Sequence, residues 1–337
     1  MKIKKKFDPA EFILDHIATL VFAVLVFGLY VYTMGHSFMF GGSFLLDLLK
    51  RVTAYLPIAI GVGCIMMVGG VDLSSGRIMG LTALVSAALL QGMEAQNRVF
   101  PDMASMPIAT VFFIVIIIGI GISAINGVVV STLKAPTFSI TLGTQILLYG
   151  AMLIFLGKGT NNGMNIAYLA SEYKDFVTGG GAVPAYVLIG IAITFVTWIL
   201  ITFTPFGGMM RAVGSDKEAA KKSGINVTLI TLLAFIIAGA FYSYNGFVEA
   251  ARVGGPGASC GSNAELDAVA ACLMGGLSVK GGAGGIGGVV IGVILLQTIS
   301  LCCQWMAISA NAVYIIKGIV IFLAVVLDML RWKFKKA

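Results

Sequence analysis

Ten apolar runs, separated by short polar or charged segments, set the strongest limit on what this chain can fold into. Most runs hold about 20 residues, the length at which an α-helix crosses a hydrocarbon core of about 30 Å. Only 11% of the residues are charged, whereas about 25% is typical of a soluble domain. The chain is therefore predicted to be an all-α polytopic membrane protein with about ten transmembrane helices. The runs are 17–35, 53–70, 78–92, 107–132, 137–156, 184–203, 228–248, 266–279, 285–303 and 307–327.

The Lys and Arg residues are distributed unevenly between the segments that join these runs. With the N-terminus in the cytoplasm, the inside segments hold fifteen of them and the outside segments hold six. Cytoplasmic loops carry such an excess, so both termini are predicted to be cytoplasmic. The net charge of +7 then reflects topology and not a nucleic-acid partner. The inside set is Lys2, Lys4, Lys5, Lys6, Arg77, Lys134, Arg211, Lys217, Lys221, Lys222, Lys280, Arg331, Lys333, Lys335 and Lys336; the outside set is Lys50, Arg51, Arg98, Lys158, Lys174 and Arg252.

The runs divide the chain into three parts. Residues 1–16 form a basic cytoplasmic segment, residues 17–330 a single transmembrane domain, and residues 331–337 a basic cytoplasmic tail. The basic start resembles that of a signal peptide. The length of the run that follows, and the lack of a small-residue cleavage site after it, predict a retained first span instead.

Two runs are too short to span a bilayer, and they hold corresponding places, third and eighth in the order. Asp72 precedes the first, Glu265 and Asp267 introduce the second, and a glycine-rich run follows each. Because the two places are an odd number of spans apart, the second copy is predicted to be inverted relative to the first. Runs 2–5 and 7–10 are therefore predicted to form an inverted repeat, in which such short segments point to a translocation path.

A charged stretch at 206–227 places six charged side chains between two spans. Ser215 and Glu218 have the S-x-x-E spacing of a capping box, and Gly224 stands where a glycine would stop the helix. The pattern predicts a short, rigid cytoplasmic helix at about 215–224 that docks another protein. The alternative is a solvated loop that follows the charge rule. The residues assigned to docking are Ser215, Asp216, Glu218, Ala219, Ala220, Lys221 and Gly224.

The sequence offers no catalytic or metal-binding constellation. The glycine-rich segment 280–288 lacks the G-K-[ST] ending of a phosphate-binding loop, and the five cysteines show no C-x-x-C spacing. The chain is therefore not expected to be an enzyme, and no cofactor or metal is expected in it. Any ATP hydrolysis that drives it is expected in another chain.

Four stretches resemble the permease family of bacterial ATP-binding-cassette importers for monosaccharides: "GGVDLSSGRIMGLTALVSAALLQ", "AINGVVVSTLKAPTFSITLGT", "GSDKEAAKKSGINV" and "ELDAVAACLMGG". The stretch "FPDMASMPIA" is similar to the galactose/methylgalactoside subgroup. The resemblance covers residues 50 to 330, within the transmembrane permease domain. It implies an inner-membrane permease for a monosaccharide such as galactose or glucose. Ribose and nucleoside permeases share the motifs, so those cargoes remain alternatives.

The resemblance also implies a set of partners. It implies a second copy of this permease in membrane lipid, two ATP-binding subunits that hold ATP and Mg²⁺, and a periplasmic or lipid-anchored sugar-binding protein. The helix at 215–224 matches the coupling helix of the family, which docks on the ATP-binding subunit. Ser215 and Asp216 stand where relatives usually show Asn and Pro.

Polar residues within or beside the runs are the candidates for the translocation path, because polar groups in a membrane usually face the bundle interior. Asp72, Ser74 and Ser75 would either line the path or cap a helix. Gly76 follows them at the start of the short run. Asn126 lies inside a span.

Lys317 also lies inside a span, where it would pair with Asp267 or Glu265 or extend towards the interface. A structural pair with one of these two carboxylates is the favoured arrangement. A second class of function stays open, an ion-coupled secondary transporter that works alone. Asp72 and Asp267 would be its coupling carboxylates. The full set of path candidates is Asp72, Ser74, Ser75, Gly76, Asn126, Asp267 and Lys317.

Overall fold

A computed structural model describes residues 42–179, 181 and 183–336, together with positions 20, 21, 23, 24 and 28. Over this part the chain is helical and forms no β-sheet, which confirms the predicted all-α class. Its twelve helices are α1 (Gly42–Met67), α2 (Ser75–Leu89), α3 (Ile108–Leu133), α4 (Thr137–Leu156), α5 (Ser171–Thr178), α6 (Ala185–Phe203), α7 (Pro205–Ser215), α8 (Lys217–Lys222), α9 (Val227–Val253), α10 (Ala264–Met274), α11 (Ile286–Trp305) and α12 (Ala310–Lys336).

Seven helices of the described part are long and apolar enough to cross a membrane, namely α1, α3, α4, α6, α9, α11 and α12. The short helices α2 and α10, with 15 and 11 residues, correspond to the third and eighth predicted runs. The first predicted run, 17–35, lies almost entirely outside the described residues. The count of ten transmembrane helices therefore stays a prediction.

Helices α1–α4 and helices α9–α12 follow the same order of lengths, long, short, long and long. In the packed bundle, α9 lies against α2 and α3, while α1 lies against α10 and α11. The two long first helices, α1 and α9, also pack against each other. Each first helix thus inserts into the opposite half, an exchange expected of two interlocked copies of one unit.

Glycines make the crossings of α9 with α1 and α3 close. A Cβ atom at Gly61 would lie 2.7 Å from the ring of Tyr242, and one at Gly239 would lie 2.5 Å from the Gly119 carbonyl oxygen. Small residues let helix backbones approach, and close packing holds helices together in lipid, where no hydrophobic effect favours their association. The central position of α9 therefore depends on these glycines.

Large apolar side chains cover the outside of the bundle as well as its core. Exposed examples occur on α3, α4, α6 and α12, the helices at the periphery. A continuous apolar surface of this kind marks contact with a membrane, so the described part has the exterior of a lipid-embedded protein. The examples include Phe113, Ile117, Ile146, Leu147, Phe195, Val196, Ile319 and Phe322.

The connections between helices gather at two ends of the bundle. At the loop end, backbone hydrogen bonds of 2.8 to 3.0 Å join the segments 91–106, 157–170 and 254–258. At the junction end, the last residue of α1, Met67, accepts a hydrogen bond of 3.2 Å from the Gly282 N–H. Helix α9 runs from α8 at the junction end to the loop end. Segments predicted to be outside are therefore gathered at the loop end, and segments predicted to be inside, such as α8, at the junction end.

Candidate functional site

The two short helices meet by their first turns in the interior of the bundle. A Cβ atom at Gly76 would overlap Glu265 Oε2 and the Gly261 carbonyl oxygen, and one at Gly80 would overlap the Cys260 carbonyl oxygen. Residues with side chains cannot be accommodated at this contact without moving the backbone. The predicted candidate Gly76 therefore lies where the starts of α2 and α10 touch.

From this meeting point the short helices run to opposite ends. Beyond the last residue of α2, the Leu90 carbonyl accepts a hydrogen bond of 2.8 Å from the Ala170 N–H at the loop end. α10 leads into the segment 275–285 at the junction end. At 1.5 Å per residue, α2 is about 22 Å long and α10 about 16 Å, so neither reaches across a hydrocarbon core of about 30 Å.

A buried chain of hydrogen bonds joins the start of α2 to α3 and α4. Ser74 Oγ donates to Asp72 Oδ1 at 2.6 Å, Asn126 Nδ2 donates to Ser74 Oγ at 3.2 Å, and Thr144 Oγ1 donates to Asn126 Oδ1 at 2.7 Å. Asp72 and Ser74 are fully buried, as is Ser75, whose Oγ donates to the Asp72 carbonyl oxygen at 3.4 Å. The structure thus brings together four of the predicted candidates.

The sequence left open whether Asp72, Ser74 and Ser75 cap a helix, and the structure shows which of them bonds the backbone at the start of α2. Ser74 is the N-cap residue of α2, but its hydroxyl bonds no backbone N–H of the first turn. Asp72 Oδ1 instead accepts the Ser74 N–H at 2.8 Å, a local side-chain to backbone bond typical of Asp before a turn. Asp72 therefore orders the chain just ahead of α2.

Three polar residues of α4 face this region, and sequence reasoning missed them. Thr141 Oγ1 accepts a hydrogen bond of 3.1 Å from the Leu73 N–H, and Gln145 Nε2 donates to Glu265 Oε1 at 3.0 Å. Together with Thr144 they lie at positions i, i+3 and i+4, which share one face of a helix. Polar residues at this spacing within an apolar run predict a polar face on a membrane helix, so the sequence did contain a signal for them.

Arg77 also lies at this meeting point, and its predicted place in a cytoplasmic segment is wrong. Its guanidinium donates to the Ala258 carbonyl oxygen at 3.0 Å and to Ser262 Oγ at 3.3 Å. It also lies 4.6 Å from the centroid of the Tyr149 ring, within the range of a cation–π contact. The cause is that the chain folds back into the bundle before α2 begins, so that its first turn is internal.

Lys317 of α12 and Asp267 of α10 form an ion pair, with 2.5 Å between Nζ and Oδ2. The favoured structural pair is present, and of the two carboxylates that the sequence left open its partner is Asp267. The Asp267 side chain is 8% exposed and that of Lys317 is 21% exposed, so the contact lies largely out of reach of solvent. A carboxylate of α12, Asp328, accepts hydrogen bonds from Ser278 Oγ at 3.2 Å and from the Val279 N–H at 3.3 Å. Both contacts attach the second short helix and the segment after it to α12.

The charged stretch folds as two helices, α7 and α8, and the predicted capping box is wrong. Ser215 is the last residue of α7, and Asp216 is the N-cap of α8. Asp216 Oδ1 accepts hydrogen bonds from Glu218 N at 2.8 Å and Ala219 N at 3.0 Å. Asp is as good an N-cap as Ser, so the first turn is closed from one position further along the chain.

The predicted stop at Gly224 is confirmed. Gly224 has a φ of 81°, the left-handed conformation that favours glycine after a helix. Its N–H bonds the Lys221 carbonyl at 3.0 Å, and the Ile225 N–H bonds the Ala220 carbonyl at 3.1 Å. This pair of bonds is the Schellman arrangement, which gives α8 a fixed end as well as a fixed start.

The two alanines of α8 face different ways. Ala219 is exposed, together with the charged residues around it, whereas Ala220 is only 4% exposed and packs in the main core. The assignment of Ala220 to a docking surface is therefore wrong, because its methyl group faces the bundle. The other residues of the predicted docking set, Ser215, Asp216, Glu218, Ala219, Lys221 and Gly224, are exposed, as are Lys217 and Lys222.

Glycines join the charged helices to both short helices at the junction end. A Cβ atom at Gly214, next to the end of α7, would overlap the Met67 carbonyl oxygen and lie 2.6 Å from the Gly282 nitrogen. A Cβ atom at Gly281 would lie 2.6 Å from Gly69 Cα. The end of α7 is therefore in backbone contact with the segment that leads into α2 and with the segment that follows α10.

Within the described residues, no group of three or more His, Cys, Asp or Glu side chains could hold a metal ion. The cavities are apolar. One of about 390 Å³ lies between α3, α5, α6 and α9, lined by Phe112, Phe176, Tyr186 and Phe247 among others. Such clefts suit acyl chains, whereas the polar groups of the bundle interior converge on the starts of α2 and α10.

Residues 44–325 match a family described as the permease component of the branched-chain amino acid transport system. The match includes both short helices, α7 and α8, and the polar chain between α2, α3 and α4. The protein belongs to this family of membrane permeases.

Among individual relatives, the galactose/methyl galactoside import permease proteins MglC of Salmonella typhimurium and Escherichia coli are each 40% identical to this chain over 295 residues. The alignments cover 86% of this chain and 87% of each relative. The ribose import permease protein RbsC of Bacillus subtilis is 31% identical over 292 residues, with 84% of both chains covered. No solved structure matches the sequence.

Proposed function

We propose that this protein is the membrane permease subunit of an ATP-driven importer and forms the path for a monosaccharide such as galactose or glucose. The 40% identity to galactose/methyl galactoside permeases over 86% of the chain carries the proposal. The family description names amino acids and the relatives name sugars. The cargo is therefore inferred from the higher identity to the galactose proteins. Ribose, for which relatives are 31% identical or less, is the second candidate.

The proposed subunit lies in the bacterial inner membrane with ten helices and both termini in the cytoplasm. Seven long helices, two short helices that each cross only part of a membrane, and the first predicted run supply this count. The separation of α7 and α8 from the segments of the loop end supports the orientation, because these two helices carry Arg211, Lys217, Lys221 and Lys222.

Helix α8 is proposed as the coupling element that docks on an ATP-binding subunit, which would hold the ATP and Mg²⁺. Caps at both ends make α8 rigid, and its outward side carries charged residues around the small side chain of Ala219. The backbone contact of Gly214 with the segments next to α2 and α10 would carry a displacement of α8 into the bundle. The other proposed partners are a periplasmic or lipid-anchored sugar-binding protein, a second copy of this chain and membrane lipid.

The starts of α2 and α10 are proposed as the middle of the sugar path. Broken helices that meet near the centre of a membrane are where transporters bind their cargo. The buried hydrogen bonds of Asp72, Ser74, Ser75 and Asn126 would stabilise the start of α2, and the Lys317–Asp267 pair would fix the position of α10.

These contacts favour the importer over an autonomous ion-coupled transporter. In the described residues, Asp267 is paired with Lys317, and one carboxylate oxygen of Asp72, Oδ1, accepts hydrogen bonds from Ser74. A carboxylate that binds and releases a coupling ion needs to be free in part of the transport cycle.

Vesicle uptake tests the proposal directly. The permease is reconstituted with its ATP-binding subunit and sugar-binding protein, and uptake of labelled galactose, glucose, ribose and a nucleoside is measured with and without ATP. ATP-dependent uptake of galactose or glucose only by the complete assembly is the expected result. Uptake by the permease alone would contradict the importer, and preferred uptake of ribose or the nucleoside would change the cargo.

A further inference from the structure

Gln145 and Tyr149 lie one turn apart on α4, on a side that the described residues leave uncovered. Tyr149 is 41% exposed, and Gln145 is partly exposed. Neighbouring residues on this side, such as Leu142 and Ile146, are exposed and apolar. The two polar residues therefore interrupt an otherwise apolar surface at the level where α2 and α10 begin.

A charged group beside this surface shows that it does not face lipid at this level. The Arg77 guanidinium lies 4.6 Å from the Tyr149 ring centroid and is itself partly exposed. Charged groups at membrane depth are costly and face the protein interior or a water-filled cavity. We therefore expect the open side of Arg77, Gln145 and Tyr149 to face an aqueous space and not lipid.

The Gln145 amide keeps hydrogen-bonding capacity for a ligand. An amide carries two N–H donors and an acceptor oxygen. In the part of the chain that the structure describes, the Gln145 amide makes one hydrogen bond, from Nε2 to Glu265 Oε1 at 3.0 Å. Glu265 is 3% exposed and thus fixes the orientation of the amide from behind. One N–H and the carbonyl oxygen remain, a combination that can both donate to and accept from a hydroxyl group.

The Tyr149 ring offers an apolar face next to this amide. Arg77 covers one side of the ring, and the exposure of Tyr149 leaves the other side open. A sugar ring presents hydroxyl groups at its edge and C–H groups on its faces, so an amide beside an aromatic face matches both. In contrast, the chain of Asp72, Ser74 and Asn126 is closed to solvent.

We propose that Gln145 and Tyr149 contact the sugar in the translocation path, with Glu265 as a positioning residue that orients Gln145 and Arg77 as one that orients Tyr149. The inference rests on the proposed function, because it names the cargo-contacting residues of the same path. In this proposal the sugar does not contact the buried candidates Asp72, Ser74 and Asn126, which instead stabilise the fold of the site.

The test compares galactose with its monodeoxy analogues in the complete assembly, at saturating amounts of sugar-loaded binding protein. Gln145→Leu is expected to lower galactose uptake by about 2- to 10-fold, the range for one lost hydrogen bond. Uptake of the analogue that lacks the contacted hydroxyl should change much less. Glu265→Gln should likewise lower the uptake of galactose more than the uptake of that analogue. Every variant uses the same binding protein. The selectivity of the binding protein therefore cancels when uptake by a variant is divided by wild-type uptake of the same sugar.

Asn126→Leu is the matched control, since it makes the same amide-to-apolar change in the buried chain. It should lower the uptake of all the sugars by one common factor. A common factor for Gln145→Leu as well would overturn the inference, because the residue would then act through the fold alone.

If Gln145→Leu does not insert, three variants at aromatic residues of α4 test the sugar contact instead. Tyr149→Leu should lower uptake of every pyranose, Tyr149→Phe should retain it, and Phe138→Leu, an exposed aromatic on the same helix, should be neutral. Normal uptake by Tyr149→Leu would contradict the sugar contact. A wild-type assembly that transports none of these sugars contradicts the proposed function itself, which this outcome distinguishes from failure of the inference.

Discussion

Lys317 Nζ lies 2.5 Å from Asp267 Oδ2, so that an ion pair joins the last long helix to the first turn of the second short helix. Asp267 is the more buried partner, with 8% of its side chain exposed. The pair therefore fixes α10, whose start touches α2 at Gly76. A contact at the periphery of the bundle thereby determines the geometry of its centre.

Removal of one partner of this pair should be worse than removal of both. Lys317→Met leaves a buried carboxylate without its partner, at a cost on the order of 3 kcal/mol. Lys317→Met combined with Asp267→Asn leaves no unpaired charge and should recover part of that loss. Thermal unfolding of the purified protein in detergent measures the difference. Additive losses in the double variant would show that the pair contributes no coupling energy.

The contact of the short helices should tolerate no side chain at Gly76. Gly76→Ala places a Cβ atom into Glu265 Oε2 and the Gly261 carbonyl, so the two starts must separate. We expect an inserted protein with at least tenfold lower uptake. Gly121→Ala on α3 is the control, since its Cβ meets no atom within 4 Å. Uptake at the wild-type rate by Gly76→Ala would mean that the helices are free to part.

The glycine junction should transmit the movement of α8 into the bundle. Gly214→Ala forces α7 away from the Met67 carbonyl oxygen, whereas Gly208→Ala in the same helix meets nothing within 4 Å. We expect Gly214→Ala to co-purify with the ATP-binding subunit while sugar-stimulated ATP hydrolysis and uptake fall together. Gly208→Ala should behave as wild type. Full coupling in Gly214→Ala would show that this contact is not used.

Much of the architecture could be predicted from the sequence, because apolar run length and charge placement are local properties. The two short helices, the Gly224 stop and the pairing of Lys317 with a carboxylate were predictable in this way, although the choice between Asp267 and Glu265 was not. Each depends on a residue type whose physical requirement is strong, such as a positive φ or an intramembrane charge that needs a partner.

The errors concern the direction in which a residue faces and the residue at which a helix begins. Arg77 was counted as cytoplasmic since alternation along the chain does not show that the segment before α2 turns back into the bundle. The cap shifted from Ser215 to Asp216 because both residues cap well and only the end of α7 decides between them. Ala220 was assigned to the surface, although α8 is short enough that either alanine could face inward.

The orientation of the bundle is tested by labelling from each side of the membrane. Cysteines placed at Glu172 of α5 and at Lys217 of α8, in a background without native cysteines, are both at exposed positions. An impermeant maleimide should label Glu172→Cys from outside and Lys217→Cys only after the membrane is opened. Labelling of both from one side would rule out the proposed ten-helix topology.

The docking role of α8 is tested on its outward side, where Ala219 lies among charged residues. Ala219→Trp adds a bulky side chain to the exposed surface without entering the core, so insertion should be normal and association with the ATP-binding subunit should fail. Asp216→Ala removes the cap that bonds Glu218 N and Ala219 N, at a cost of about 0.5–2 kcal/mol of local helix stability, and should give a milder defect. Ser215→Ala, at a position that caps nothing in α8, should co-purify and transport normally. If Ala219→Trp keeps full association and uptake, α8 is a solvated helix and the partner docks elsewhere.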